Sequence, residues 1–216
     1  MNQKRLYEKE KARILKAALA DLPFDGFTDE ILTQAAAKAR VSADKTRLAF
    51  PRGGIDLAVA FIQAGTAEMV KQLAAQKLET MKVRERIQTA VMTRLMVDAP
   101  NRETARRAFA LLALPRHGED AVKLLGTTVD EMWRAAGDTS TDVNYYSKRV
   151  ILSGVYTSTR LVWFQDESDD YADTRVFLER RIDNVMQIEK GKAKWRQFKD
   201  KLPDPLSALA KQRYRV

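Results

Sequence analysis

The 216-residue chain contains no cysteine and one histidine, His117. Without a thiol there are no disulfides, no Cys-ligated zinc, no iron–sulfur cluster and no thiol nucleophile. A single imidazole excludes multi-histidine metal sites and disfavours a Ser-His-Asp triad. No stretch approaches the roughly 18 uninterrupted apolar residues that a membrane-spanning helix needs. Alternating β-branched runs bounded by turn dipeptides, the mark of strands, are also missing. The opening Met-Asn-Gln-Lys-Arg leads into alternating Glu and Lys, with none of the apolar core of a secretory signal. These gaps lead to the expectation of a soluble, intracellular, all-α, non-enzymatic protein.

What is present is positive charge, unevenly placed. The formal net charge is +9. Residues 1–16 carry six Lys and Arg against two Glu, and residues 190–216 carry nine against two Asp. Between them, 25 acidic residues slightly outnumber 23 basic ones. Basic ends attract phosphate, whether on nucleic acid or on anionic lipid, and charge alone does not choose between them.

Helical periodicity runs through the whole chain. Leu6, Ile14, Leu15, Ala18, Leu19 and Leu22 form one stripe over 5–22, broken by Pro23 and Gly26. Thr28 is placed to N-cap a helix over Asp29–Ala39, and Ser42 to cap a short one that stops at Phe50-Pro51. Arg52-Gly53-Gly54 reads as a turn before a long helix from Ile55 to about Leu78. Further helices are predicted at about 83–98, 102–114, 119–136, 141–165 and 171–189. Short connections imply an antiparallel bundle. The layout divides into a helix-turn-helix-like unit at 1–54, a ligand-binding and dimerisation bundle at 55–189, and a basic amphipathic tail at 190–216.

Several features admit two readings. The second helix of the helix-turn-helix offers Asp44, Lys45, Thr46 and Arg47 as polar groups. The unit is a DNA reader or only a packing module. Asp166–Asp170 is rich in oxygen ligands but lacks EF-hand spacing, and its position before a helix favours capping. The helix over 141–165 is apolar nearly all round and needs cover from core, partner subunit or ligand. Tyr145-Tyr146, after a polar stretch, suit a partner surface. In the tail, Trp195, Phe198 and Leu202 share a helical face among Lys and Arg until Pro203 and Pro205 interrupt. That is the pattern of an interfacial membrane helix, or of a solvated tail folded back on the bundle.

Two stretches carry a family resemblance. Residues 12–57 resemble the N-terminal domain of the TetR repressor fold, through Ile14-Leu15-x-Ala17-Ala18, Gly26-Phe27-Thr28, Ala35-Ala36-x-x-Ala39-x-Val41-Ser42 and Phe50-Pro51. Arg40 stands where such proteins usually carry glycine, and Arg52-Gly53-Gly54 replaces a phosphate-gripping Lys. Residues 111–186 contain Asp130-Glu131-Met132-Trp133 and Ala136-Gly137-Asp138-Thr139-Ser140-Thr141-Asp142-Val143-Asn144-Tyr145-Tyr146. This stretch is similar to the ubiquinone-biosynthesis accessory family of lipid-binding TetR-fold proteins.

The resemblance implies an all-α, TetR-like homodimer without a cofactor, which has lost repressor function. It would bind an isoprenoid lipid or quinone intermediate and present it to the di-iron demethoxyubiquinone hydroxylase. The implied partner patch is Met132, Trp133, Asp142, Tyr145 and Tyr146. Leu152, Val155 and Tyr156 are expected in the lipid pocket, and Trp195, Phe198 and Leu202 on an anionic membrane surface. The expected location is a bacterial cytoplasm, peripheral to the inner membrane. The alternative is a TetR-type transcriptional regulator with a hydrophobic effector; DNA is the less favoured partner.

Overall fold

The computed structural model describes residues 7–139 and 143–185. The described residues are helical, with no strand among them. In chain order the α-helices are α1 (Glu8–Ala18), α2 (Leu22–Asp25), α3 (Asp29–Lys38), α4 (Ala43–Ala49) and α5 (Gly54–Ala74). They continue as α6 (Val83–Asp98), α7 (Arg102–Leu112), α8 (Gly118–Ala135) and α9 (Val143–Trp163). The final one, α10, is described over residues 172–185.

Local chemistry sets the boundaries. The Thr28 hydroxyl accepts from the Ile31 amide at 3.2 Å, capping α3. Glu85 reaches back to the Lys82 amide at 2.9 Å and fixes the first turn of α6. Three expectations need correction. The first helix does not run over 5–22: it ends at Ala18, and Pro23 sits in the first turn of a separate short helix, where its missing N–H costs nothing. Ser42 makes no side-chain cap; its carbonyl instead accepts from the Thr46 amide and hydroxyl, both at 2.9 Å. The long helix stops at Ala74, before a 3₁₀ turn at Leu78–Thr80.

Helix α5 is the axis of the molecule, packed by α6, α7 and α8 and reached by α1 and α3 from the N-terminal side. The α4–α5 junction is tight. Gly54 donates its amide to Asp29 Oδ1 at 2.7 Å, and a Cβ on Gly54 would come within 2.2 Å of the Phe27 carbonyl oxygen. Gly53 has φ +69, and a Cβ there would lie 2.0 Å from Asp29 Oδ1. Only glycine fits at either position. One continuous apolar core runs from Ile14 in α1 to Ile182 in α10. Trp163 and Tyr156 of α9 are among its largest fully buried side chains.

Candidate functional site

The Ala136-Gly137-Asp138 stretch is the C-terminal cap of α8. Gly137, at φ +85, donates to the Arg134 carbonyl, and the Asp138 amide donates to the Trp133 carbonyl, both at 3.0 Å. This is a Schellman motif, which requires the left-handed residue glycine supplies. Arg86 braces it by donating to the Ala136 carbonyl at 3.0 Å.

Beyond this cap, α9 is clamped to α8 by charge. Asp138 is largely buried and lies 2.8 Å from Lys148 Nζ and 3.2 Å from Arg149 Nη1. Asp130 takes Arg149 at 2.6 Å and also accepts from the Tyr145 hydroxyl at 3.1 Å. The Arg149 guanidinium lies 3.3 Å over the Tyr145 ring. Burial works against the charge on Arg149, and the hydrogen bonds it donates to Asp130 and Asp138 outweigh it, so its pKa is raised. Tyr145 meets Tyr146 edge-on at 5.1 Å, and Tyr146 projects with 69% exposure beside the exposed Val150. Trp133 is half-buried and donates Nε1–H to the Lys148 carbonyl at 3.2 Å.

The expected partner patch is therefore assembled in part. Trp133, Tyr145 and Tyr146 come together where α8 and α9 meet. Met132 does not reach the surface: one residue before Trp133 on the helix, it points into the core at 0% exposure. Asp142 lies outside the described residues, as do Trp195, Phe198 and Leu202.

The three residues expected in a lipid pocket separate into two cavities. Leu152 and Val155 line an apolar cleft of about 290 Å³ with Val83, Ile87, Ile151 and Ile182. Trp133 and Lys148 form its edge, so the cleft adjoins the aromatic patch. Tyr156 faces the other way, into a cavity of about 200 Å³ with Phe109, Leu112, Leu124, Thr128 and Arg160. Leu152, Val155 and Tyr156 fall at i, i+3 and i+4 on one side of α9, but Val155 and Tyr156 stand 100° apart at the two edges of that face and open to different cavities.

A buried charged group lies beside the second cavity. Arg94 is fully buried with Nη1 2.6 Å from Asp98 Oδ2, an ion pair whose angle misses hydrogen-bond alignment. Arg160, also buried, stacks 4.4 Å over the Tyr156 ring. Burial and the neighbouring Arg94 lower the Arg160 pKa to about 9, against the opposing pull of Asp98, and it stays cationic at neutral pH. The signal was available: Arg94 and Asp98 prolong the apolar stripe of Ile87 and Val91, where a charge is out of place.

The helix-turn-helix surface has its polar groups engaged. Asp44 and Arg47 pair at 2.5 Å, Lys45 lies 3.6 Å from Glu10, and Thr46 is buried. Arg52 is held by Asp56 at 2.7 Å and Asp120 at 2.8 Å. At the α9–α10 corner, Asp166 accepts from the amides and hydroxyls of Ser168 and Thr174 at 2.5–2.8 Å. The acidic run thus caps α10, and no cluster of three metal-ligating side chains occurs among the described residues. No described helix is long and apolar enough to cross a membrane.

Residues 118–189 match the COQ9 family model. The chain is 37% identical over 192 residues to "Ubiquinone biosynthesis protein COQ9, mitochondrial" of Bos taurus, covering 84% of this chain and 60% of that protein. It is 36% identical, over 84% of this chain and 65% of the relative, to "Ubiquinone biosynthesis protein COQ9-B, mitochondrial" of Xenopus laevis. The chain therefore spans somewhat under two thirds of the length of these curated relatives. Among solved structures, a TetR transcriptional regulator from Nitrosomonas europaea matches with TM-score 0.67 and 23% identity, over 83% of this chain and 99% of that one. That likeness shows the TetR fold. The expected location does not stand: these relatives are mitochondrial proteins by name, which overturns a bacterial cytoplasm and inner membrane.

Proposed function

Because the chain is a homologue of the COQ9 ubiquinone-biosynthesis proteins, we propose that it serves that pathway as a non-enzymatic lipid-binding protein. It holds an isoprenoid lipid or quinone intermediate in the bundle and presents it to the di-iron demethoxyubiquinone hydroxylase. The observation that carries this reading is the apolar cleft of Leu152 and Val155, which shares Trp133 and Lys148 with the aromatic patch. A chain lodged in the cleft lies directly beside a partner docked on Tyr145 and Tyr146. Each buried CH₂ contributes about 0.8 kcal/mol, so an apolar lining retains an isoprenoid tail without polar groups.

The exposed Val150 and Leu161 of α9 and Val176 of α10 suit a homodimer contact. The basic tail with Trp195, Phe198 and Leu202 supplies electrostatic attraction to an anionic membrane, about 1 kcal/mol per basic residue near the surface. A DNA-binding regulator is less well supported, since the polar groups of α4 and Arg52 are paired internally.

Mass spectrometry of organic extracts from the purified full chain tests the reading. An isoprenoid quinone or precursor near one per chain or per dimer is expected. Extracts free of isoprenoid lipid, combined with no calorimetric uptake of a short-chain ubiquinone, overturn it.

A further inference from the structure

The cavity between α5, α7, α8 and α9 differs from the cleft of Leu152 and Val155 in holding buried polar groups without partners. Its volume of about 200 Å³ is somewhat larger than the roughly 150 Å³ cavity known to take up benzene, so it accommodates one substituted ring. Apolar side chains make most of the wall, and the exposed Val122 lies at its rim. At the inner end are Arg160 and Tyr156, each more than nine-tenths buried. Arg160 Nε and the Tyr156 hydroxyl have no hydrogen-bond partner among the described residues. A buried donor left unpaired is costly, more so a charged one, and a ligand acceptor would relieve both.

The charge balance points the same way. Asp98 pairs with Arg94 at 2.6 Å, and Arg160 has no carboxylate within ion-pair distance among the described residues, leaving one positive charge uncompensated in the interior. The molecule makes room for this arrangement: a Cβ on Gly65 would lie 2.6 Å from Arg94 Nη2. An arginine offers donors only, so its missing partner is an acceptor, and an anionic oxygen satisfies both the hydrogen bond and the charge.

We propose that this cavity is a head-group site for a single-ring aromatic amphiphile bearing an anionic oxygen, a ring carboxylate or phenolate. That oxygen is received by Arg160 and Tyr156, and the apolar tail leaves past Val122. The inference rests on the lipid-binding reading above and adds to it: beside the cleft of Leu152 and Val155, this second cavity takes a charged aromatic amphiphile.

Isothermal titration calorimetry on the full chain decides the matter with matched probes: 3-geranyl-4-hydroxybenzoate, its methyl ester, and decanoate. The acid is expected to bind at least about tenfold more tightly than the ester, and more tightly than decanoate. Tyr156→Phe removes only the hydroxyl, keeps the ring under Arg160, and should weaken the acid about fivefold while leaving the ester unchanged. Arg160→Gln should abolish the preference altogether. Equal binding of acid and ester overturns the head-group assignment but leaves lipid binding standing. Decanoate binding as tightly as the aromatic acid overturns the aromatic specificity. If neither geranyl probe binds, both the assignment and lipid uptake at this cavity fall.

Discussion

The Arg52 guanidinium meets the Asp120 carboxylate at two points, 2.8 and 3.1 Å, joining the turn after α4 to the first turn of α8. Asp56 holds the same guanidinium from the other side. The bond from Arg52 lowers the Asp120 pKa, and both carboxylates raise that of Arg52. Arginine suits a bidentate carboxylate, and lysine would keep the charge without the fork.

The first prediction follows from that pairing. Arg52→Ala should lower the free energy of unfolding by about 1 kcal/mol, the upper range for a half-exposed pair, as read from chemical denaturation. Fluorescence anisotropy with duplex DNA should show no sequence preference at any ionic strength, for wild type and variant alike. Selective, salt-sensitive binding of one duplex would favour the regulator instead.

Arg40 occupies the turn between α3 and α4 with φ +53, a left-handed conformation that a side chain disfavours. Arg40→Gly should therefore raise stability by up to about 1 kcal/mol, net of the extra freedom glycine gives the unfolded chain. Thermal unfolding checks this. An unchanged or lower melting temperature would mean that the turn gains more from the arginine side chain than it loses in strain.

The corner between α9 and α10 predicts an acid sensitivity. Burial pushes the Asp166 pKa up, but hydrogen bonds from Ser168 and Thr174 outweigh it and hold the pKa at about 2, below the usual 3.8. A depressed carboxylate contributes stability that is full above about pH 4 and is lost as pH falls toward 2. Asp166→Asn should cost about 1–2 kcal/mol at pH 7. The gap between wild type and variant should close between pH 4 and pH 2, as followed by urea denaturation. A gap independent of pH would show that charge plays no part in the cap.

The sequence made the helices legible because their ends are written in local chemistry. Thr28 before Asp29 and Glu30, the Gly53-Gly54 turn and Gly137 at the end of α8 each act within a few residues. The apolar period outruns the first helix because Leu19 and Leu22 keep it while Asp21 and Pro23 start a new turn. Burial was harder to read than periodicity. Met132 and Trp133 are neighbours in sequence, yet one is in the core and the other at its edge. Likewise Leu152 and Tyr156 share an apolar helix but face different cavities. The Arg94–Asp98–Arg160 group depends on α6 and α9 meeting, 62 residues apart at their nearest pair, and no local pattern records that meeting.

The aromatic patch gives the last prediction, and the two tyrosines separate its parts. Tyr146 is exposed and its hydroxyl is not needed to hold α9, so Tyr146→Ala should leave the melting temperature within a degree or two. If the ring anchors the hydroxylase, the same change should weaken binding tenfold or more, the loss of about 1.4 kcal/mol or more typical of a buried aromatic anchor. Tyr145 is different. Its hydroxyl donates to Asp130 and its ring lies under Arg149, so Tyr145→Phe keeps the stacked ring and loses one hydrogen bond. It should cost about 1 kcal/mol of stability with a smaller effect on binding. Surface plasmon resonance with the purified hydroxylase, paired with thermal unfolding, resolves the two roles. Unchanged affinity for Tyr146→Ala would remove the patch from the interface. A parallel loss of affinity and stability in both variants would show that the patch acts through the fold of α9 and not by contact.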